Sequence, residues 1–493
     1  MMAHKLTFLL EDGLRPLVTQ LKDCNGHRSD GMHARLPKAA MNSLRFCSLL
    51  IFSLLTTQLL AQERSNSDRF QMHRGIDRQE VIHRTLEPYS GNHSPGVHAS
   101  TLVGKVMCGY QGWFTCPGDG SGRGWHHWQK GHNFAPGSCT IDLWPDVSEL
   151  DDDERFQTSF LRQDGRQAEV FSSLNAKTVD RHFQWMAEYG IDGVFVQRFG
   201  TEVRDPMGLY HFNTVLAHAR AGANRHGRTW AVMYDLSGLR RGETQIVIDD
   251  WKMLVDRMLL GCDPRDPSYL HHNGKPVVTV WGIGFSDGRE YTLDECEALV
   301  DFFTNDAKYG GNTVMLGIPT YWRSLTRDCV ADAKLHEIIK SADIISPWMV
   351  GRIGTLDGVE RIARDVWQPD LTWCQQHNID YLPVVFPGFS WHNMNPKSPL
   401  DQIPRQGGRF LWKQYSELQK IGATMVYQAM FDEVDEATAI FKCTNSPPLG
   451  QSTFLDYEGL PSDHYLWLTG QGRRLIRGEL QPTEQLPIRR IVP

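Results

Sequence analysis

The chain of 493 residues has no Cys-x-x-Cys pair among its ten cysteines, which removes the usual framework for a structural zinc site. It has no basic stripe. Its 51 basic residues stand against 58 acidic ones, for a net charge of −7, which argues against a nucleic-acid partner. No Gly-x-Gly-x-x-Gly follows the first apolar run, where residues 109–113 read Gly-Tyr-Gln-Gly-Trp, so a dinucleotide site is excluded there. The apolar stretch 46–55 is too short and too poorly flanked to span a bilayer. Nothing resembles a nucleotide, haem or pyridoxal phosphate site, and no metal or organic cofactor is called for. Aromatics, by contrast, are plentiful: 15 Trp, 14 Tyr and 22 Phe, which serve both as platforms for sugar rings and as core. Cys108, Cys116 and Cys139 cluster in a loop-rich stretch, where a disulfide and buried free thiols are equally good readings.

The first hundred residues divide by composition. Residues 1–40 are polar and without period, and are expected to be a non-native extension. Residues 41–61 read as a signal peptide: Arg45 in a short charged region, the apolar stretch 46–55, and Ala61 before the cut. A mature chain beginning near Gln62 would be secreted or periplasmic, with no membrane span. Residues 62–100 are polar throughout and read as a linker or arm.

From residue 101 an alternation begins. Apolar runs at 103–110, 193–197, 229–234, 275–281, 313–318, 343–348, 381–386 and 424–431 predict eight strands. Helical spacing at 177–189, 209–226, 246–260, 293–303, 331–340, 358–377 and 407–421 predicts the helices between them. Each strand is nearly continuous in apolar residues, as a sheet covered on both faces requires. Eight such units predict an α/β fold, a (β/α)8 TIM barrel over 101–445, with a long insert after the first strand. The tail, 446–493, carries Tyr465-Leu466-Trp467-Leu468 and is expected to pack on the barrel.

Active sites of such barrels form at the carboxyl ends of the strands. The eighth strand ends in Phe431-Asp432-Glu433-Val434-Asp435-Glu436-Ala437-Thr438, with four carboxylates in five positions. Like charges so close raise one another's pKa, a cost that suits acid/base chemistry. Glu433 and Glu436 are three apart, and a helical turn would put them on one face, roughly 5–6 Å between Cβ atoms. Paired carboxyls that close fit glycosidic bond cleavage with retention better than with inversion. A second acidic run, 151–154, suits calcium or a solvated helix start, and the helix start is the better reading.

The motif at 431–438 resembles the Phe-Asn-Glu-Trp-His-Glu-Gly-Thr motif of glycoside hydrolase family 99, the endo-α-1,2-mannosidases. The chain looks closer still to the bacterial family 99-like or 71/99 group, sometimes labelled xylosidase/arabinosidase. Residues 109–114, the segment Asp142-Leu143-Trp144-Pro145-Asp146 and residues 272–278 fit that group, and the likeness spans roughly 101–470. It implies a (β/α)8 barrel whose first motif glutamate, Glu433, is a base on the sugar 2-hydroxyl, with passage through a 1,2-anhydro sugar. Glu436 is implied to be the general acid/base at the glycosidic oxygen. The chain departs from the motif at Asp432, Val434, Asp435 and Ala437.

The expected substrate contacts are Tyr110, by the resemblance, and Asp432, with the strand-end and rim residues His126, Trp128, Gln197, Asp235, Trp281, Tyr321 and Trp391. The expected function is hydrolysis of an α-linked poly- or oligosaccharide. The alternatives are a non-catalytic carbohydrate-binding barrel, and an α-glucanase-like or xylosidase/arabinosidase-like specificity.

Overall fold

The structure is a computed structural model and describes residues 77–95 and 98–489. The expected leader, the segment before it and the start of the arm lie outside the described residues. The described part of the arm holds helix α1, Arg78–Thr85. Leu86 and Tyr89 after it are buried, and the Tyr89 amide donates to Asp263 at 2.9 Å.

Eight parallel strands make one sheet. They are β1 (Val106–Tyr110), β2 (Gly193–Phe199), β3 (Thr229–Asp235), β4 (Lys275–Trp281), β5 (Thr313–Ile318), β6 (Ile344–Pro347), β7 and β8 (Val426–Gln428). β7 is in two pieces, Asp380–Tyr381 and Val384–Val385. The first piece pairs with β6 and the second with β8, while β8 pairs with β1. The two ends of the sheet are therefore halves of one strand, and the sheet closes into a barrel. The break falls at Leu382-Pro383. A proline has no N–H for the ladder, so the strand switches partners there. Leu382 N–H donates to Ile345 O at 2.9 Å, and Pro383 O accepts from Tyr427 N at 2.9 Å.

The helices cover the outside: α2 (Ala176–Tyr189), α3 (Pro206–His226), α4 (Gln245–Met258), α5 (Leu293–Asn305), α6 (Lys334–Lys340), α7 (Leu356–Ile362), α8 (Gln368–His377) and α9 (Arg409–Lys420). α2 shows the local logic. Asn175 accepts from Lys177 N and Thr178 N, Val179, Phe183 and Met186 face inward, and Gly190 at φ +74° ends the helix. The predicted helix 358–377 is two helices joined by a π turn, Ala363–Trp367. Helix α4 stops at Met258, with Leu259 in the left-handed conformation, two residues before the glycine expected to end it.

Three features of the chain resolve into structural parts. The insert after β1 contains a hairpin, Arg155–Leu161 with Gln167–Phe171, that its sequence did not announce. The acidic run 151–154 is a single 3-10 turn. Glu154 is buried and accepts from Asp151 N, Thr178 and Arg181, and a strand begins at Arg155, so the run is a turn entering the hairpin and not the expected solvated helix start. His272-Asn273-Gly274-Lys275 is a tight turn leading into β4, with positive φ at Asn273 and Gly274, at the end of the barrel away from the carboxylates. The eight described cysteines are all free thiols.

The tail packs on the barrel as helix α10, His464–Ile476, against α9, α2 and β1. No helix among the described residues is long and apolar enough to cross a membrane.

Candidate active site

The carboxylates of the eighth strand sit at its carboxyl end and are drawn inward: Asp432 is fully buried, and Glu433 and Glu436 are 5% and 8% exposed. They are held by a turn, Val434–Ala437, closed by Thr438 N–H donating to Glu433 O at 3.1 Å. Ala437 lies in the left-handed region at φ +50°, so the turn is not the helical one expected. The barrel floor below is built by side chains from neighbouring strands. Gly109 of β1 has no room for a Cβ, because Tyr427 Oη and the Met430 thioether already occupy that place, each 2.1–2.4 Å from it. The Gln197 amide donates to Tyr427 Oη at 3.2 Å.

Asp432 ties this turn to the end of β1. Its Oδ1 accepts from Gln111 N at 2.7 Å, and its Oδ2 accepts from Gly112 N at 2.9 Å. The Gln111 side chain in turn hydrogen-bonds Glu433. Burial pushes Asp432 up to about 7, against the pull of the two amides. Burial, followed by the charges of Glu436 and Asp435, holds Glu433 well above the carboxylate range. Glu433 is thus the carboxyl of the pair that burial and its neighbours' charges make the more basic.

Glycine 112 is held from its other side as well. His211 is buried and neutral; its Nε2 donates to Gly112 O at 2.9 Å and its Nδ1 accepts from Arg123 at 2.8 Å. Arg123 also donates to His126 Nε2 at 2.8 Å and pairs with Glu202. His126 thus belongs to an ion-pair network at the rim. Its neighbour His127 reaches the carboxylates: Nδ1 is 3.3 Å from Asp435 Oδ2, and the ring lies flat on Trp113, 3.8 Å and 5° from parallel. Burial of the ring lowers it to about 3, while 27% of the side chain remains exposed.

Of the expected substrate contacts, Asp432 and Gln197 join Glu433 and Glu436 at the centre. Asp235, at the end of β3, is partly exposed, and its charge acts on Tyr427 as that of Glu433 does. Trp281 stands half-buried in an aromatic corner with Phe285 and Trp348, under the Arg289 guanidinium at 4.9 Å. Tyr321 is at the rim under Arg327, and Trp391 is half-buried, donating to Ser398 Oγ at 2.7 Å. Two residues are elsewhere. Tyr110 is fully buried, bonded to His182 Nδ1 at 2.9 Å and packed on Phe183 and Phe431, in the layer between sheet and α2. Trp128 is fully buried in a small core of the insert with Phe114, Phe134 and Phe171. Neither faces the carboxylates.

Sequence reasoning passed over the residues that arrange this site. Asp142, in the Asp-Leu-Trp-Pro-Asp segment, accepts from Ser390 Oγ and the His392 and Asn393 amides, while its own amide donates to Val434 O at 3.0 Å. It joins the insert, the loop after β7 and the carboxylate turn. Arg405, also buried, donates to the carbonyls of Ala437 and Ala439 at 2.7 Å each. Tyr457 and Tyr465 of the tail stack on its guanidinium at 4.9 and 4.4 Å. Among the described residues no group of acids, histidines and cysteines is placed to hold a metal ion.

No protein-family model matches the chain, and no curated protein matches it in sequence. Solved structures do match its fold. Two structures of the family 99 endo-α-mannosidase from Bacteroides thetaiotaomicron, one in complex with bis-tris propane, align with a TM-score of 0.54 at 16% identity, covering 77% of this chain and 99% of that one. The chain shares the (β/α)8 fold of that endo-α-mannosidase.

Proposed function

We propose that the chain is an exported glycoside hydrolase that cleaves an α-linked poly- or oligosaccharide with Glu433 and Glu436. The observation that carries this reading is the buried carboxylate cluster at the carboxyl end of β8, where Glu433 and Glu436 are brought together at the mouth of a (β/α)8 barrel and Glu433 is raised well above the ordinary carboxylate range. The fold shared with an endo-α-mannosidase supports it.

In this reading Glu433 takes the proton of a sugar 2-hydroxyl as that oxygen attacks C1. The bond from C1 to the glycosidic oxygen breaks, and Glu436 gives its proton to the leaving oxygen. Water then opens the 1,2-anhydro ring at C1, losing a proton to Glu436, while Glu433 returns its proton to O2. Two displacements at C1 give net retention. A carboxyl with a raised pKa is a stronger base toward a hydroxyl than an ordinary glutamate. The same shift predicts the pH profile. Glu433 must be ionised to act, so activity falls as pH drops through its raised value, and the acid limb lies above the ordinary carboxylate range.

The test is incubation of the purified chain with α-mannans, α-glucans, xylans and arabinans, with reducing ends measured beside a Glu436→Gln control. Release from one polymer, reduced at least a thousandfold in the control, is expected. Full activity in the Glu436→Gln variant would refute the assignment. Binding of a polymer without release by either protein would make the chain a non-catalytic carbohydrate-binding barrel.

A further inference from the structure

His127 is placed unlike any other histidine near the site. Its ring is fixed by a flat stack on Trp113, and Phe114 and His126 stand edge-on to it at 6.2 and 4.6 Å. Its backbone is in the left-handed region at φ +62°, and its carbonyl accepts from Thr140 Oγ1. A side chain of this size adopts that conformation at a cost, which the surrounding contacts must maintain. The ring is thereby brought to Asp435, 308 residues away in sequence and between the two glutamates. Nδ1 is committed to that carboxylate. Among the described residues Nε2 has no partner, and the side chain is 27% exposed, whereas Asp435 beside it is 3% exposed. The arrangement presents one imidazole nitrogen at the mouth of the carboxylate cluster. Because Nδ1–H is donated to Asp435, the neutral ring carries a lone pair at Nε2, an acceptor and not a donor.

We infer that His127 is a substrate-contact residue, whose Nε2 accepts a hydrogen bond from a hydroxyl of the sugar ring held over Glu433 and Glu436. This rests on the carbohydrate reading of the site. It makes a commitment about ligand chemistry: the sugar offers a free hydroxyl at that edge of the ring, and a sugar deoxygenated or substituted there is bound less tightly. Trp113, under the imidazole, keeps the acceptor in place without itself being needed as a stacking platform.

Two substitutions separate the nitrogens. In His127→Asn the amide N–H stands where Nδ1 stands, so the Asp435 bond is kept and Nε2 is lost. Asparagine also tolerates the left-handed backbone, so the fold is preserved. In His127→Gln the carboxamide reaches the place of Nε2 and restores an acceptor. The probes are 1-deoxymannojirimycin and 1-deoxynojirimycin, ring cations with sugar hydroxyls that a carboxylate cluster attracts, titrated by calorimetry against the full chain. Thermal melting is run on each variant.

The expected result is that the wild type binds at least one of the two probes. His127→Asn binds it about tenfold more weakly with an unchanged melting midpoint, and His127→Gln recovers most of the loss. On a polymer that the wild type cleaves, KM rises in His127→Asn more than kcat falls. Equal binding by wild type and His127→Asn would overturn the assignment of His127 while leaving the hydrolase reading intact. If the wild type binds neither probe and releases no reducing ends, the carbohydrate reading falls, and the role of His127 falls with it.

Discussion

At the scale of the residue, Asp432 is the side chain whose chemistry departs most from what its position suggests. It was expected to touch substrate. It stands at the centre of the site, fully buried, with both oxygens accepting from the amides of Gln111 and Gly112. An asparagine there, as in the motif the chain resembles, offers one acceptor and turns an NH2 toward the second amide. Asp432→Asn therefore leaves one buried N–H without a partner, at about 1–3 kcal/mol. It also frees the segment whose Gln111 side chain supports Glu433, so turnover is expected to fall about tenfold or more with little change in KM. A second measurement distinguishes this from a general loss of fold. The folded Asp432 titrates near 7, far above the ordinary 3.8. A raised value means that the folded state holds the proton more tightly, so the associated stability is present at low pH and is lost as pH rises from about 4 through 7. The wild-type melting midpoint is therefore expected to drop between about pH 4 and 7, and Asp432→Asn, which cannot ionise, to drop less. Parallel curves for the two proteins would contradict this.

Elements, more than residues, decide what the sequence could reveal. The eight strands were legible because a covered parallel sheet writes each strand as an apolar run, and the carboxylate cluster was legible because no ordinary strand end carries such charge. The same continuity hid which way side chains point. All five residues of β1 are buried, so the strand has no alternation to tell its inner face from its outer one, and Tyr110 was assigned to the cleft when it faces α2. Trp128 was misplaced for a related reason: a loop insert of this length builds a core of its own, and its aromatics fill that core. Contacts such as Gln111 to Asp432, 321 residues apart, leave no local trace at all. The carboxylate turn is braced by Arg405, one nitrogen of which donates to the carbonyls of Ala437 and Ala439, with two tail tyrosines against the guanidinium. One guanidinium nitrogen makes both bonds, and a lysine ammonium has no planar face for the two tyrosine rings to lie against. Arg405→Lys is expected to lower kcat severalfold while the sugar affinity of the cleft stays near wild type. An unchanged kcat would show that the turn holds its shape without the clamp.

At the scale of the whole molecule the tail runs the height of the barrel. At the site end, Tyr457 Oη donates to Phe441 O at 2.7 Å just past the carboxylate turn. At the opposite end, Arg473 of α10 donates to Asp192 at 2.8 Å, on the carboxylate that also accepts from Val106 N at the start of β1. Between them α10 lies so close to the end of α2 that a Cβ on Gly470 would stand 1.9 Å from the Tyr189 carbonyl oxygen, which is backbone and cannot yield. Gly470→Ala must therefore lift α10 off the barrel, and overpacking of this kind typically costs about 1–3 kcal/mol. If the tail were only a cover, the loss would appear in stability alone. Because the same segment carries the tyrosines that lie against Arg405, the displaced helix is expected to disturb the carboxylate turn as well. Gly470→Ala should thus lower both the melting midpoint and kcat, and the double variant with Arg405→Lys should lose less kcat than the product of the two single losses, since both act on one turn. Losses that multiply independently would separate the tail from the site and leave Arg405 as a local clamp.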